Sequence, residues 1–153
     1  MKKLSKIILA LFLILALLPF SAFATTETPH FENVIYFDDG SYMTVELSVM
    51  ESRASGTKNG SKTYRYYAND GTEEWRAVLS GTFTYTGSSA TCTASSCSVT
   101  ITNTAWYTVS KTATKSGSNA LGTVVMGRKV LGITIAKETY NMQITCDANG
   151  NLS

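Results

Sequence analysis

Residues 63–85 read TYRYYANDGTEEWRAVLSGTFTY, and the second half of that stretch decides the fold class. Trp75, Ala77, Leu79, Gly81, Phe83 and Tyr85 occupy alternate positions, with Arg76, Ser80, Thr82, Thr84 and Thr86 on the other face. A period of two over a dozen residues is what a β-strand with one buried and one wet face requires, because successive side chains leave opposite sides of the pleat. Ahead of it, Asn69-Asp70-Gly71 supplies a turn and TYRYYA supplies a partner strand. The stretch is therefore expected to be a β-hairpin whose second arm crosses a hydrophobic core.

The same pattern recurs on both sides. NVIYFDDGSYMTVELSV (33–49) places Asp39-Gly40 between two β-rich runs, a second hairpin. A polar loop is expected near 51–61, which holds Gly56 and Gly60 and no periodicity. Val99 and Ile101 alternate with Thr100 and Thr102, and GTVVMGRKV is expected to pair with TYNMQITC through LGITIA. In that last strand Tyr140, Met142, Ile144 and Cys146 share a face. No helical period appears beyond the N-terminal segment. Short strands with turns at roughly 8–12-residue spacing point to a sandwich or barrel. The expected fold is all-β, a single-domain antiparallel β-sandwich, immunoglobulin-like in style, with about eight or nine strands. Ser and Thr, 37 of residues 25–153, suit its wet faces.

The N-terminus, MKKLSKIILALFLILALLPFSAFATTETP, has a different logic. Lys2, Lys3 and Lys6 precede an apolar run from Ile7 to Leu18, and Ala22 and Ala24 supply small residues at a cleavage site. That is the anatomy of a secretory signal peptide, 1–24, followed by a secreted domain, 25–153. The run is short of the roughly 20 residues a spanning helix needs. A secreted, extracellular location without membrane attachment after cleavage is expected. Of the 13 basic and 11 acidic residues, three lysines lie in the signal, so the mature chain is close to −1. A near-neutral chain without Lys/Arg clusters argues against nucleic acid as a partner.

Behind a signal peptide cysteines are expected to oxidise. There are three: Cys92 and Cys97 in SSATCTASSCSVT and Cys146 in MQITCDANG. Zinc wants four ligands, and only His30 could join them, so no metal is expected. CTASSC is also not the C-x-x-C of a redox pair. If TASS were a hairpin loop, Cys92 and Cys97 could bond across it. Cys92–Cys146 would instead join distant strands, closing a ring of 55 residues and contributing about 4 kcal/mol against roughly 2 for the short ring. Strand parity allows both pairings, and either leaves one thiol over as a route to a covalent partner.

SGTFTYTGSSATCT, MGRKVLGIT and QITCDANGNLS resemble segments of small signal-peptide-bearing secreted proteins of Gram-positive bacteria that have no assigned function. The resemblance spans most of the mature chain and rests on texture, not on a chemical motif. It implies secretion, it favours Cys92–Cys146, since ATCT and ITC belong to the shared pattern, and it supplies no catalytic residue.

Catalytic chemistry finds little purchase. A serine or cysteine nucleophile needs a base, and His30 is the one histidine. Paired carboxylates for glycoside hydrolysis could come from Asp38, Asp39, Asp70, Glu73 and Glu74, but the three aspartates sit beside turn glycines, where Asp is favoured for backbone reasons. DANGNLS has calcium-like spacing at Asp147, Asn149 and Asn151 but lacks Gly at the sixth position and Glu at the twelfth. Aromatics offer more: Tyr66-Tyr67 and Trp106-Tyr107 must each point to opposite faces of a strand, so one of each pair is placed to form a ligand platform. The expectation is a non-enzymatic extracellular binding protein that needs no cofactor, with a glycan or cell-wall component as candidate ligand. The alternatives are a toxin-like antagonist of neighbouring cells and, below it, a small carbohydrate-active enzyme.

Overall fold

The structure, a computed structural model, describes residues 28–50 and 56–153. The expected signal segment and residues 51–55 of the expected polar loop lie outside the described residues. Eight strands run in chain order: β1 (Thr28–Tyr36), β2 (Tyr42–Met50), β3 (Thr57–Tyr67), β4 (Glu73–Tyr85), β5 (Ala90–Ile101), β6 (Trp106–Ser116), β7 (Asn119–Val130) and β8 (Ile133–Thr145). Strands β1 to β5 form one antiparallel sheet and β6 to β8 another, each a meander in sequence order. The two-layer architecture is the expected all-β sandwich. Its connectivity is simpler than an immunoglobulin-like interleaving, because the chain completes one sheet before starting the next.

Alternation on β4 does what the sequence predicts. Trp75, Ala77, Leu79, Gly81 and Phe83 are buried, and they meet Ala120, Val124 and Met126 of β7 and Met142 and Ile144 of β8 in one core. Gly81 is there for space: a Cβ would lie 2.7 Å from the Phe83 ring and 3.0 Å from Ala120. The two sheets could not keep their separation with a larger residue at that point.

Three expectations change. The second half of the expected polar loop is strand, since β3 begins at Thr57 and pairs Gly60 with both Val49 and Gly81. Nor is LGITIA a linker. Only Leu131 and Gly132 make the turn, at φ 51° and 81°, and Ile133–Ala136 already belong to β8. Two successive positive φ values are the signature of a tight primed hairpin turn, and leucine at the first costs about 1–2 kcal/mol against a residue that tolerates it. Finally, TASS is not a loop: residues 90–101 are one strand, with a bulge at Thr93 that lets Cys92 and Cys97 both face inward. Five residues of extended chain span about 16 Å, far beyond the ~7 Å ceiling for a disulfide. The local Cys92–Cys97 bond is thus out of reach.

The strand directions give the sandwich two ends. At the crossover end lie turns 37–41, 68–72 and 131–132 and the segment 102–105 that carries the chain between sheets. At the tail end lie turns 86–89 and 117–118 and the C-terminal residues 146–153.

Candidate functional site: a polar pocket at the crossover end

Glu74 organises the crossover. Its backbone carbonyl accepts from the amides of Thr102 and Asn103, both at 2.9 Å. Its buried carboxylate accepts from the Asn103 side chain at 2.9 Å and from the Trp106 indole N–H. Asn103 Oδ1 takes the Ala105 amide at 2.9 Å, and Ala105 takes the Lys129 amide at 2.8 Å. One carboxylate thereby fixes the loop, the first residue of β6 and, through them, the upper part of β7.

Beside it the β1–β2 turn folds back. Asp39 Oδ1 accepts from the Ser41 amide at 3.0 Å and from the Ser41 hydroxyl, and Ser41 Oγ accepts from the Tyr66 hydroxyl at 2.8 Å. The Ser41 hydroxyl bond is the largest cause holding the Asp39 carboxyl below the usual range, and the Arg128 guanidinium adds to it. Burial pushes the Tyr66 hydroxyl up. Asp39, Ser41, Tyr66, Ala68, Asn69, Glu74 and Arg128 line a pocket of about 140 Å³.

Arg128 is the unusual member. Its Nε is buried without a hydrogen-bond partner, and its guanidinium forms no ion pair with a described residue. Its contact is with the Trp106 ring, at 5.7 Å from the centroid. The carboxylates that share the pocket with it are otherwise occupied: Glu74 by its two donors, Asp39 through Oδ1. Burial and the Glu138 bond both raise the Tyr140 hydroxyl. The pocket therefore presents a guanidinium with donors unused and an Asp39 Oδ2 with no described partner, set near each other but unpaired.

Two other cavities differ in kind. One of about 180 Å³ lies among Met50, Gly60, Gly81 and the Ala94–Ser96 bulge region, without a charged group. The other, about 520 Å³, is an open depression at the tail end beside Tyr85 and Asn149.

The structure divides the aromatic quartet. Tyr66 and Trp106 are 6% and 4% exposed and pack with Trp75, Tyr66 stacked on it at 5.5 Å. They present no ring face to solvent, so the platform cannot use them as stacking surfaces; Tyr66 serves the pocket through its hydroxyl. Tyr67 and Tyr107 face outward, but Tyr67 is stacked on Tyr42 at 4.8 Å, and Tyr107 lies over Gly127 under the Lys129 ammonium, 4.5 Å from its centroid. No single surface joins the four.

The remaining candidates resolve locally. Glu73 pairs with Arg65 at 3.2 Å and Arg76 at 3.5 Å. Asp70 caps its own turn through the Thr72 amide at 2.9 Å, and Asp38 is exposed. Asp147 is spent on the C-terminal turn, accepting from the amides of Asn149 and Asn151 at 2.8 Å and from the Asn151 side chain. His30 lies in β1 opposite Leu47. Sequence reading flagged Asp39, Glu74 and Tyr66 separately. It missed Ser41 and Arg128, because nothing local marks a serine after Asp-Gly or an arginine three residues before a turn; only the register of β7 against β6 brings Arg128 to Trp106.

The three cysteines are free thiols, Cys92 and Cys146 buried and Cys97 half-buried. The Cys92 and Cys146 amides donate to consecutive carbonyls, Gly117 at 2.8 Å and Ser118 at 3.0 Å. Burial raises all three thiols, and Cys146 also feels Cys92. Among the described residues no helix is long and apolar enough to cross a membrane. No protein-family model, no curated protein and no solved structure matches the chain.

Proposed function

We propose that the protein is a secreted, non-enzymatic binding protein that takes an extracellular ligand at the crossover end. The observation that carries this reading is Arg128, a half-buried guanidinium in a preformed pocket with its hydrogen-bond donors unused. Buried polar groups are ordinarily satisfied, so an unsatisfied cation at a cavity wall marks a place where a ligand completes the set. Catalysis fits less well. Ser41 is the pocket hydroxyl that bonds a carboxylate, but Asp39 is held acidic and makes a poor proton acceptor near neutral pH.

Secretion, with cleavage after Ala24, belongs to this reading and rests on the N-terminal sequence pattern and the resemblance to small secreted Gram-positive proteins. So does a Cys92–Cys146 disulfide: two buried thiols meet at one turn, and joining them passes two electrons and two protons to a disulfide oxidant outside the cytoplasm. Cys97, opposite Leu79 in β5, is then the thiol left over.

The test is chemical-shift mapping of the mature, secreted protein against a panel of cell-wall fragments, oligosaccharides and small polar metabolites. The expected result is a saturable ligand whose shifts centre on Ser41, Tyr66 and Arg128 and vanish in Arg128→Gln. Ligands that map elsewhere, or turnover of any panel member, would overturn it.

A further inference from the structure

The β7–β8 hairpin continues past Arg128 above the pocket. Val130 lies two residues beyond Arg128 on the same strand and pairs directly with Ile133, so both share the face that Arg128 presents to the pocket. These residues are not core: Val130 is 50% exposed and Ile133 69%, and Leu131 at the turn is 97% exposed. All nine large apolar side chains exposed among the described residues, from Val34 to Ile135, lie in the half of the molecule nearer this end. The outer face of the hairpin is different. Lys129 sits over Tyr107, and Thr134 bonds the Tyr107 hydroxyl at 2.8 Å.

Resting on the function proposed above, we infer that the ligand is a small zwitterion with a branched aliphatic group, of the amino-acid type. Its carboxylate meets the unused Arg128 donors, its ammonium meets Asp39 Oδ2, and its aliphatic part lies along Val130 and Ile133. The charges decide the class. A simple anion would face Asp39 and Glu74 with one guanidinium to hold it, and a simple cation would leave Arg128 unsatisfied. A ligand carrying both signs answers both groups. The cavity's size restricts the polar head to a few heavy atoms, and Val130 and Ile133 follow Arg128 along the hairpin on the same face.

Titration calorimetry of the mature protein with four probes tests this: L-leucine, glycine, isocaproate and isoamylamine. Leucine is expected to bind with the highest affinity, and removing the aliphatic group, the ammonium or the carboxylate is expected to weaken binding by about tenfold or more each, the scale of a lost charge-assisted hydrogen bond or a few buried methylenes. Arg128→Gln should bring leucine down to the level of isoamylamine and leave isoamylamine unchanged. Ile133→Ser, an exposed position where folding is not at risk, should bring leucine toward glycine. Equal affinity for isocaproate and leucine, an unchanged leucine affinity in Arg128→Gln, or no binding of any probe overturns the inference. In the last case, a panel ligand that still depends on Arg128 leaves the binding reading standing, and its absence removes both.

Discussion

The two ends of this sandwich are finished by different chemistry. The tail end is closed by backbone bonds, with the Asp147 carboxylate holding the C-terminal turn. Thr145 and Ser153 exchange amide–carbonyl bonds at 2.8 and 3.0 Å, Gly87 donates to Ala148 at 2.9 Å, and the Cys92 and Cys146 amides hold the β6–β7 turn. The crossover end adds a side-chain network to its backbone bonds. Glu74, Asn103, Trp106, Asp39, Ser41 and Tyr66 supply its bonds, and one cation is left without any. Backbone closure is tolerant of sequence, since every residue carries the same groups. Side-chain closure needs specific residues, and there the chain has also placed its exposed apolar groups. A molecule built for stability alone would not concentrate unsatisfied donors and exposed leucine and isoleucine at one end.

The largest effect expected belongs to the tail end. If Cys92 and Cys146 are joined, the Cys92→Ala/Cys146→Ala double variant should unfold with about 4 kcal/mol less stability than the oxidised protein, from the 55-residue ring it reopens. Urea unfolding with and without reductant measures it. Loss of the reductant effect in Cys97→Ala instead would assign the bond to Cys97 and dissolve the contrast as drawn.

Next in size is Glu74. Replacing it with leucine removes the acceptor from the Trp106 indole and the Asn103 amide and should cost about 3 kcal/mol, since buried donors left unpaired carry their full desolvation penalty. Glu74→Gln keeps one acceptor oxygen and should cost about 1 kcal/mol. Hydrogen exchange at Thr102, Asn103 and Lys129 should quicken in the leucine variant while Cys146 and Thr145 stay protected. Uniform quickening would mean that the ends are not independent.

How far these ends could be read in advance differs in the same way. The alternation of Trp75 to Phe83 is local information, and it placed the core face of β4 without error. The Asp39-Gly40 and Asp70-Gly71 turns were equally legible, because their conformation is a property of those residues. What escaped was pairing across distance. The Thr93 bulge, which turns Cys97 inward and makes TASS a strand, leaves no mark in composition. The extension of β8 back to Ile133 was hidden by a leucine in a turn position that asparagine usually fills. Arg128 and Glu74, 54 positions apart in sequence, converge only because β6 and β7 register as they do. Local grammar gave the sheets, and the pocket is a product of register.

The ends should also part company with pH. Asp39 and Asp147, one at each end, are both held below the ordinary carboxylate value by hydrogen bonds to their folded form. Their contribution is present above about pH 4 and is lost as pH falls through the lowered folded values, alike at both ends. Tyr66 and Tyr140 are raised, chiefly by burial, and both belong to the crossover half. A raised folded value means that stability is full below the unfolded tyrosine value of about 10 and drains as pH climbs above it. In Cys97→Ala, which removes the raised free thiol, the urea midpoint should therefore be level from about pH 5 to about pH 10 and then fall, less steeply when Tyr140→Phe is added. A midpoint that falls equally in the variant would place the alkaline sensitivity elsewhere.

The smallest effect has the opposite sign. Leu131 holds φ 51° with its side chain almost wholly in solvent, so it contributes strain and no described packing. Leu131→Asn should raise stability by about 1 kcal/mol, because asparagine tolerates the left-handed region that leucine resists. On the binding reading proposed above, the exposed Leu131 side chain trades that stability for contact with the ligand. Stabilisation in urea combined with weaker ligand binding would tie the hairpin tip to recognition. Destabilisation would show that Leu131 packs in solution, and would return the tip of the crossover end to the structural side of the comparison.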